Sequence, residues 1–328
     1  MLRRLPLAGL LAVILAVLLS AHVRAEGATL RVGVLKYGTV NWELDVIRHH
    51  GLDRDNGFTL EITPLALKDA AAVAVQGGAV DIIVSDWLWV ARQRAEGRLF
   101  SFAPYSRAEG SLMVRPDAGV TTFADLKGKR LGVAGGALDK SWLLLRAYAR
   151  QQTGTDAAEL VEPNFAAPPL LNQLVLKGEL PATLNFWHFA ARLEAAGMRR
   201  LLSIDEVLGG LGIDRELPMV GWVFKEDWAE ANRAAVDGFL RASDAAKAIL
   251  RDSDAEWERL RPMMKAEDEA TFVALREGFR AGIPQAGVEQ AERAARQAYG
   301  VLAREGGEAL VGKATELASG VFWRTAAQ

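Results

Sequence analysis

The sequence predicts an α/β protein of two lobes joined by two chain crossings and finished by a helical C-terminal segment, and three observations predict it. From Thr29 onward, short β-rich runs alternate with amphipathic helical stretches, the pattern of mainly parallel sheets covered by helices. Val114-Arg115-Pro116-Asp117-Ala118-Gly119 interrupts that alternation with the Pro and Gly content of a crossing, and Phe123-Ala124-Asp125-Leu126-Lys127-Gly128-Lys129 opens a fresh β–α series. A second change falls near Gly209–Leu217, before Pro218-Met219-Val220-Gly221-Trp222-Val223-Phe224.

Taken in order, strands are expected at Leu30–Leu35, Thr59–Thr63, Asp81–Val84, Arg130–Ala134 and Ala182–Asn185, each followed by a helix. Residues 28–114 plus 221–328 are then expected to form lobe one and 119–212 lobe two, with crossings at 115–118 and 213–220. The last hundred residues are rich in Ala, Arg and Glu. Helical spacing in Val236, Phe239, Leu240, Ala246 and Leu250, and again in Phe272, Leu275 and Phe279, predicts helices packed on lobe one. Ser243 is a polar interruption of the first stripe. No internal repeat, low-complexity tract or heptad run occurs.

With 328 residues, 50% apolar and 24% charged, the chain can bury a large core and does not have a disordered composition. Arg3 and Arg4 precede an apolar run from Leu7 to Leu19, followed by Val23-Arg24-Ala25. That run is shorter than the roughly 20 residues needed to span a bilayer, so residues 1–25 are expected to be a signal peptide. Its removal takes three of the 39 basic residues and none of the 41 acidic ones, leaving a net charge of −5, which does not suggest a nucleic-acid partner. Cysteine is absent. Disulfides, thiolate chemistry, cysteine-based zinc sites and a cysteine lipid anchor are therefore excluded, and the expectation is a soluble periplasmic protein that is not lipid-anchored.

Leu30-Arg31-Val32-Gly33-Val34-Leu35-Lys36-Tyr37-Gly38-Thr39, Gln76-Gly77-Gly78-Ala79-Val80-Asp81 and Thr122-Phe123-Ala124-Asp125-Leu126-Lys127-Gly128-Lys129-Arg130-Leu131-Gly132-Val133 together resemble the nitrate/sulfonate/taurine class of ABC substrate-binding proteins. The resemblance covers nearly all of the chain after the leader. It implies the type II periplasmic-binding fold, a small-molecule ligand in the cleft between lobes, an ABC transporter permease in the inner membrane as partner, and a monomer. Within the class, Asn41-Trp42-Glu43-Leu44, Ser85-Asp86-Trp87-Leu88-Trp89 and Leu138-Asp139-Lys140-Ser141-Trp142 are most similar to periplasmic proteins that bind pyrroloquinoline quinone. That compound would be a transported ligand, with no catalytic cofactor. Fold alone does not choose among this ligand, sulfonates or taurine, and thiamine-pyrimidine precursors.

In open α/β sheets the ligand sits beyond the carboxyl ends of strands, where helices begin with free N–H groups. That rule selects Lys36–Trp42, Ser85–Trp89, Gly135–Trp142 and Asn185–His188, each with at least one Trp. An indole face stacks on a flat conjugated ligand, although Trp is also simply a large core residue. Trp87 and Trp89 lie about 200° apart on a helix, so one belongs to the core; Trp87, nearer the strand end, is expected to face the ligand, with Trp42, Trp142 and Trp187. Lys140 falls in a first helical turn, where the helix dipole disfavours a cation, and an anionic ligand would explain it. Lys36 and Asn41 are placed to donate to a carboxylate, and Arg107 to fork one unless it is an ordinary surface arginine. Asp86 is expected to cap its helix before it contacts ligand. His188 is a hydrogen-bond partner and not a metal ligand, while His49-His50 ends a surface helix; no metal site is expected.

Lys140-Ser141 after glycines invites a phosphate-loop reading, which fails because Ala134 and Asp139 stand where that motif needs glycine. An enzyme or synthase on the same fold is the rival class. The sequence carries no nucleophile elbow, no His-Glu-x-x-His and no cysteine, so a binder is expected, serving either transport or a periplasmic sensor.

Overall fold

The computed structural model describes residues 27–266 and 268–326, so the expected signal peptide lies outside the described residues. The first lobe opens with β1 (Ala28–Leu35), α1 (Val40–His49), the short α2 (Leu52–Asp55), β2 (Phe58–Leu65), α3 (Lys68–Gln76), β3 (Ile82–Ser85), α4 (Trp87–Ala95) and β4 (Phe100–Ser106). Then come β5 (Ser111–Val114), a 3₁₀ turn at Phe123–Leu126, β6 (Arg130–Ala134), α5 (Lys140–Thr153), α6 (Ala157–Leu160), β7 (Glu162–Ala166), α7 (Pro168–Leu176), β8 (Ala182–Asn185), α8 (Trp187–Ala195), β9 (Arg199–Ser203) and α9 (Ile204–Gly210). The chain returns with β10 (Val220–Lys225) and ends in α10 (Glu226–Ala231), α11 (Arg233–Asp252), α12 (Asp254–Met264), α13 (Glu269–Ala281) and α14 (Val288–Val311).

Two five-stranded sheets result, ordered β2-β1-β3-β10-β4 and β7-β6-β8-β5-β9. Their plans match. In each, three strands run parallel and the fourth position is an antiparallel strand that has just arrived from the other lobe: β10 beside β3 and β4, β5 beside β8 and β9. The apolar run Ile82–Val84 and the buried Ala182–Leu184 sit mid-sheet because helices cover both faces there. Residues 321–323 cover the β4 edge through Phe102 N–H to the Val321 carbonyl and Trp323 N–H to the Phe102 carbonyl.

Two expectations need correcting. Val114–Gly119 was expected to lead into the crossing, with residues up to 114 in lobe one; instead β5 pairs in the second sheet, and the first crossing runs through 107–110. The Pro116-Asp117 signal marks a turn inside the second lobe, where the Arg115 guanidinium binds the Asp117 carboxylate and the Arg115 N–H reaches the Pro181 carbonyl. The return passage spans 211–219, between α9 and β10. The C-terminal helices also do more than cover lobe one. α13 packs against α8, and α14 lies against both α4 and α5, so one core cluster runs continuously from Trp87 and Leu88 through Ala294, Ala298 and Leu302 to Trp142 and Leu144. Among the described residues no helix is long and apolar enough to cross a membrane.

Candidate ligand-binding cleft

The parallel strands of both sheets point their carboxyl ends at one another, and the groups that begin α4 and α5 meet there. Asp86 leaves β3 in an extended conformation and caps α4, accepting from the Trp89 N–H at 2.8 Å. Asp139 does the same for α5, accepting from the N–H groups of Ser141 at 2.9 Å and Trp142 at 3.4 Å. Gly135, at φ +83°, turns the chain between β6 and α5, and a Cβ there would collide with the Asp139 carboxylate. Lys140 then reaches across the lobes. Its Nζ donates to Asp86 Oδ2 at 3.0 Å, and beside it Ser141 Oγ donates to Glu109 Oε2 at 3.0 Å. Glu109 stands on the first crossing, next to Gly110, whose missing Cβ lets the backbone lie against the Asn185 carbonyl.

This cluster sets its own electrostatics. Partial burial opposes charge on Lys140, but Asp86, Glu109 and Asp139 outweigh it and hold the ammonium above its usual range. Burial likewise opposes charge on Asp86, and Lys140 with the Trp89 N–H outweighs it, keeping this carboxyl below the ordinary range. Burial wins at Glu109, which is pushed up to about 7 with help from Asp139 and against Lys140, and burial also raises Asp139. The cation that the sequence placed unfavourably at a helix N-terminus is thus compensated by carboxylates of the protein itself.

A second inter-lobe contact is aromatic. Trp42 in α1 meets Trp187 of α8 edge to face, centroids 6.2 Å apart and planes at 89°, and is backed by Trp257 and Phe279. Trp187 lies over Gly278 of α13, where a Cβ would press on the indole. Lys68, at the start of α3, sits 5.8 Å from the Phe186 ring, and Arg192 of α8 donates to the carbonyls of Met264 and Lys265.

Of the expected site residues, Asp86 meets Lys140 and Trp42 meets Trp187 across the lobes, Trp42 being itself a core residue at 5% exposure. His188 follows Trp187 in the first turn of α8; burial, aided by Arg192, lowers it to about 4, and its Nδ1 is buried without a partner. Four expectations, those for Trp87, Trp142, Arg107 and Asn41, are corrected. Trp87 is fully buried, its indole N–H donating to the Pro218 carbonyl at 2.9 Å, and Trp142 is 2% exposed, so both are core. Arg107 is spent on the carbonyls of Arg215 and Ala281 and on Glu216 at 3.2 Å, tying the two crossings to the end of α13. The Asn41 amide closes its own turn through the carbonyls of Leu35 and Gly38, while Lys36 stays exposed beside Tyr37.

The NMT1/THI5-like family profile matches residues 46–255, more than half of the chain. The chain belongs to that family. No curated protein matches it. Among solved structures, this NMT1/THI5-like protein is similar to the alkanesulfonate-binding protein SsuA of Xanthomonas axonopodis pv. citri bound to MOPS, at TM-score 0.68 and 19% identity over 92% of this chain and 100% of that one. The periplasmic aliphatic sulphonate-binding protein SsuA of Escherichia coli gives TM-score 0.69 at 19% identity over 92% and 93% of the two chains, and an ABC transporter structure from Parabacteroides distasonis gives 0.66 at 15% over 90% and 99%. At such identities the likeness establishes the fold, that of two-lobed periplasmic-binding proteins.

Sequence reasoning missed Glu109, Asp139 and Lys68 as members of the family fold's cleft. Asp139 was legible as an Asp directly before a helix that opens after Gly135-Gly136. Glu109 carried no local signal, because its position follows from where the chain crosses between sheets. Phe165 and Phe186 were also missed. They end β7 and follow β8 on the cleft side, and Phe165 meets Trp142 edge-on while remaining 42% exposed.

Proposed function

We propose that the protein is the periplasmic solute-binding component of an ABC importer, delivering a planar anionic heteroaromatic molecule, best matched by pyrroloquinoline quinone, to an inner-membrane permease as a monomer. The observation that carries this reading is the Lys140–Asp86 pair. One partner comes from each lobe, both at helix N-termini, so a ligand carboxylate entering between the lobes can take Asp86's place on Lys140. Phe165, Phe186 and Trp187 offer half-buried or exposed rings for a flat ligand to stack on. Pyrroloquinoline quinone carries three carboxylates and an electrophilic quinone carbonyl. An ammonium held protonated by Asp86, Glu109 and Asp139 can pair with the charge or hydrogen-bond to the carbonyl. Ligand entry, ring stacking and lobe closure would then present the closed form to the permease.

One observation favours a second reading. Three carboxylates around a single ammonium suit a ligand that brings its own donors, such as an aminopyrimidine. Calorimetric titration of the mature protein with pyrroloquinoline quinone, taurine and an aminopyrimidine separates the possibilities. Saturable binding of the quinone alone, weakened roughly 10–100-fold in Lys140→Ala, is the expected outcome, since a charge-assisted hydrogen bond contributes about 1.5–3 kcal/mol. Binding of the aminopyrimidine alone would transfer the assignment to the second reading.

A further inference from the structure

At the opposite end of α1 from the cleft-side Val40, the helix finishes at His49 with His50 as its C-cap, and the start of α12 lies alongside. His50 Nε2 stands 3.1 Å from Glu256 Oε2, although the two residues are 206 apart in sequence. The rings of His49 and His50 are perpendicular with centroids 4.9 Å apart, and one donor atom from each of His49, His50 and Glu256 lies within 4.8 Å of the others. We propose that these three side chains form a binding site for a divalent transition metal of the zinc class.

The geometry fits such an ion. Zinc bonds of about 2.0–2.1 Å in a tetrahedron place neighbouring donor atoms about 3.3 Å apart, close to the His50–Glu256 spacing. His49 is exposed, so a change of rotamer brings its ring nitrogen in at little cost. Glu256 is already held in a suitable orientation, since its Oε1 accepts both Nε and Nη2 of Arg259, at 2.9 and 2.7 Å, and its Oε2 is turned to the imidazole. Arg259 is itself paired with Asp45 at 2.5 Å, and two imidazoles and one carboxylate oxygen are left to meet the cation beside Arg48. Two nitrogens and one oxygen suit zinc, nickel or copper and not calcium or magnesium, which take oxygen shells. The exposed fourth side would be completed by water. The ion would clip the end of α1 to the start of α12 within lobe one, independently of any cleft ligand.

The test is a calorimetric titration of tag-free, chelator-stripped protein with zinc chloride, paired with cobalt(II) absorption spectra. One zinc per chain is expected, with visible cobalt bands of a tetrahedral site. His49→Ala and His50→Ala are each expected to weaken binding by at least roughly tenfold, and the double variant to abolish it. Because both histidines are exposed, circular dichroism should show these variants folded. Absence of saturable zinc binding in the wild type, or unchanged binding in the folded double variant, overturns the proposal.

Discussion

At Glu109, a single carboxyl makes the stability of the protein depend on pH in a direction opposite to that of most acidic residues. Burial holds it at about 7 in the folded chain, against an ordinary value near 4.5, so between these values the folded state binds more protons than the unfolded one. Stability from this group is complete below about pH 4.5 and is lost as pH rises through about 7. Glu109→Gln, which keeps an uncharged acceptor for Ser141 Oγ, is expected to lose less stability than the wild type between about pH 5 and about pH 8, by an amount on the order of 1 kcal/mol after solvent screening. Melting temperatures of the two proteins across that range check it. A parallel pH dependence in both would mean that Glu109 is charged in the folded protein at neutral pH.

At the scale of elements, α11 shows how a residue that breaks a pattern can be the one that locks it. Ser243 interrupts the apolar stripe, and the structure places it fully inside, accepting from the Trp222 indole at 3.1 Å and from Lys247 Nζ at 2.6 Å while donating to Glu43 at 2.5 Å. Lys247 also binds Glu43 at 3.1 Å and lies 4.6 Å from the Tyr105 ring, so α1, α11, β4 and β10 share one buried polar knot. Removing one charge strands the other. Lys247→Met is expected to cost about 3–5 kcal/mol in denaturant unfolding, and adding Glu43→Gln should recover a large part of it. The strands divide by the same logic. β1, β2, β3, β6 and β8 were legible because their apolar runs are bounded by turn residues and followed by helices. β4, β5, β7, β9 and β10 were not; of these, β5 and β10 arrive from the other lobe with no β–α repeat around them, and Pro116 near β5 imitates a crossing.

For the molecule as a whole, the lobes meet through chemically distinct contacts: the Lys140–Asp86 pair, the Trp42–Trp187 edge, Lys68 against Phe186, and α13 on α8, where Arg192 binds the Met264 and Lys265 carbonyls. The helix α14 also touches both lobes, and the Arg107–Glu216 pair joins the crossings. Lys140→Glu places a fourth carboxylate among Asp86, Glu109 and Asp139. Small-angle scattering is expected to show a larger radius of gyration for this variant than for the wild type, with the difference persisting when cleft ligand is added. Equal compactness would show that the aromatic contacts and α14 close the lobes without the ion pair.

The sequence by itself determined the α/β class, the two-lobed plan, the family resemblance and the strand ends at which Asp86, Lys140, Trp42 and Trp187 stand, because periodicity, turn residues and helix starts are local properties of the chain. Only the tertiary structure decided that Trp87 and Trp142 are core while Trp187 faces the other lobe, since each follows a strand end and the sheets alone fix which way each helix start turns. It also decided that Lys140 is answered by Asp86, a residue 54 positions away, and that Glu109 joins them. Burial and charge at those sites arise from two lobes meeting, and no segment of either lobe carries that information alone.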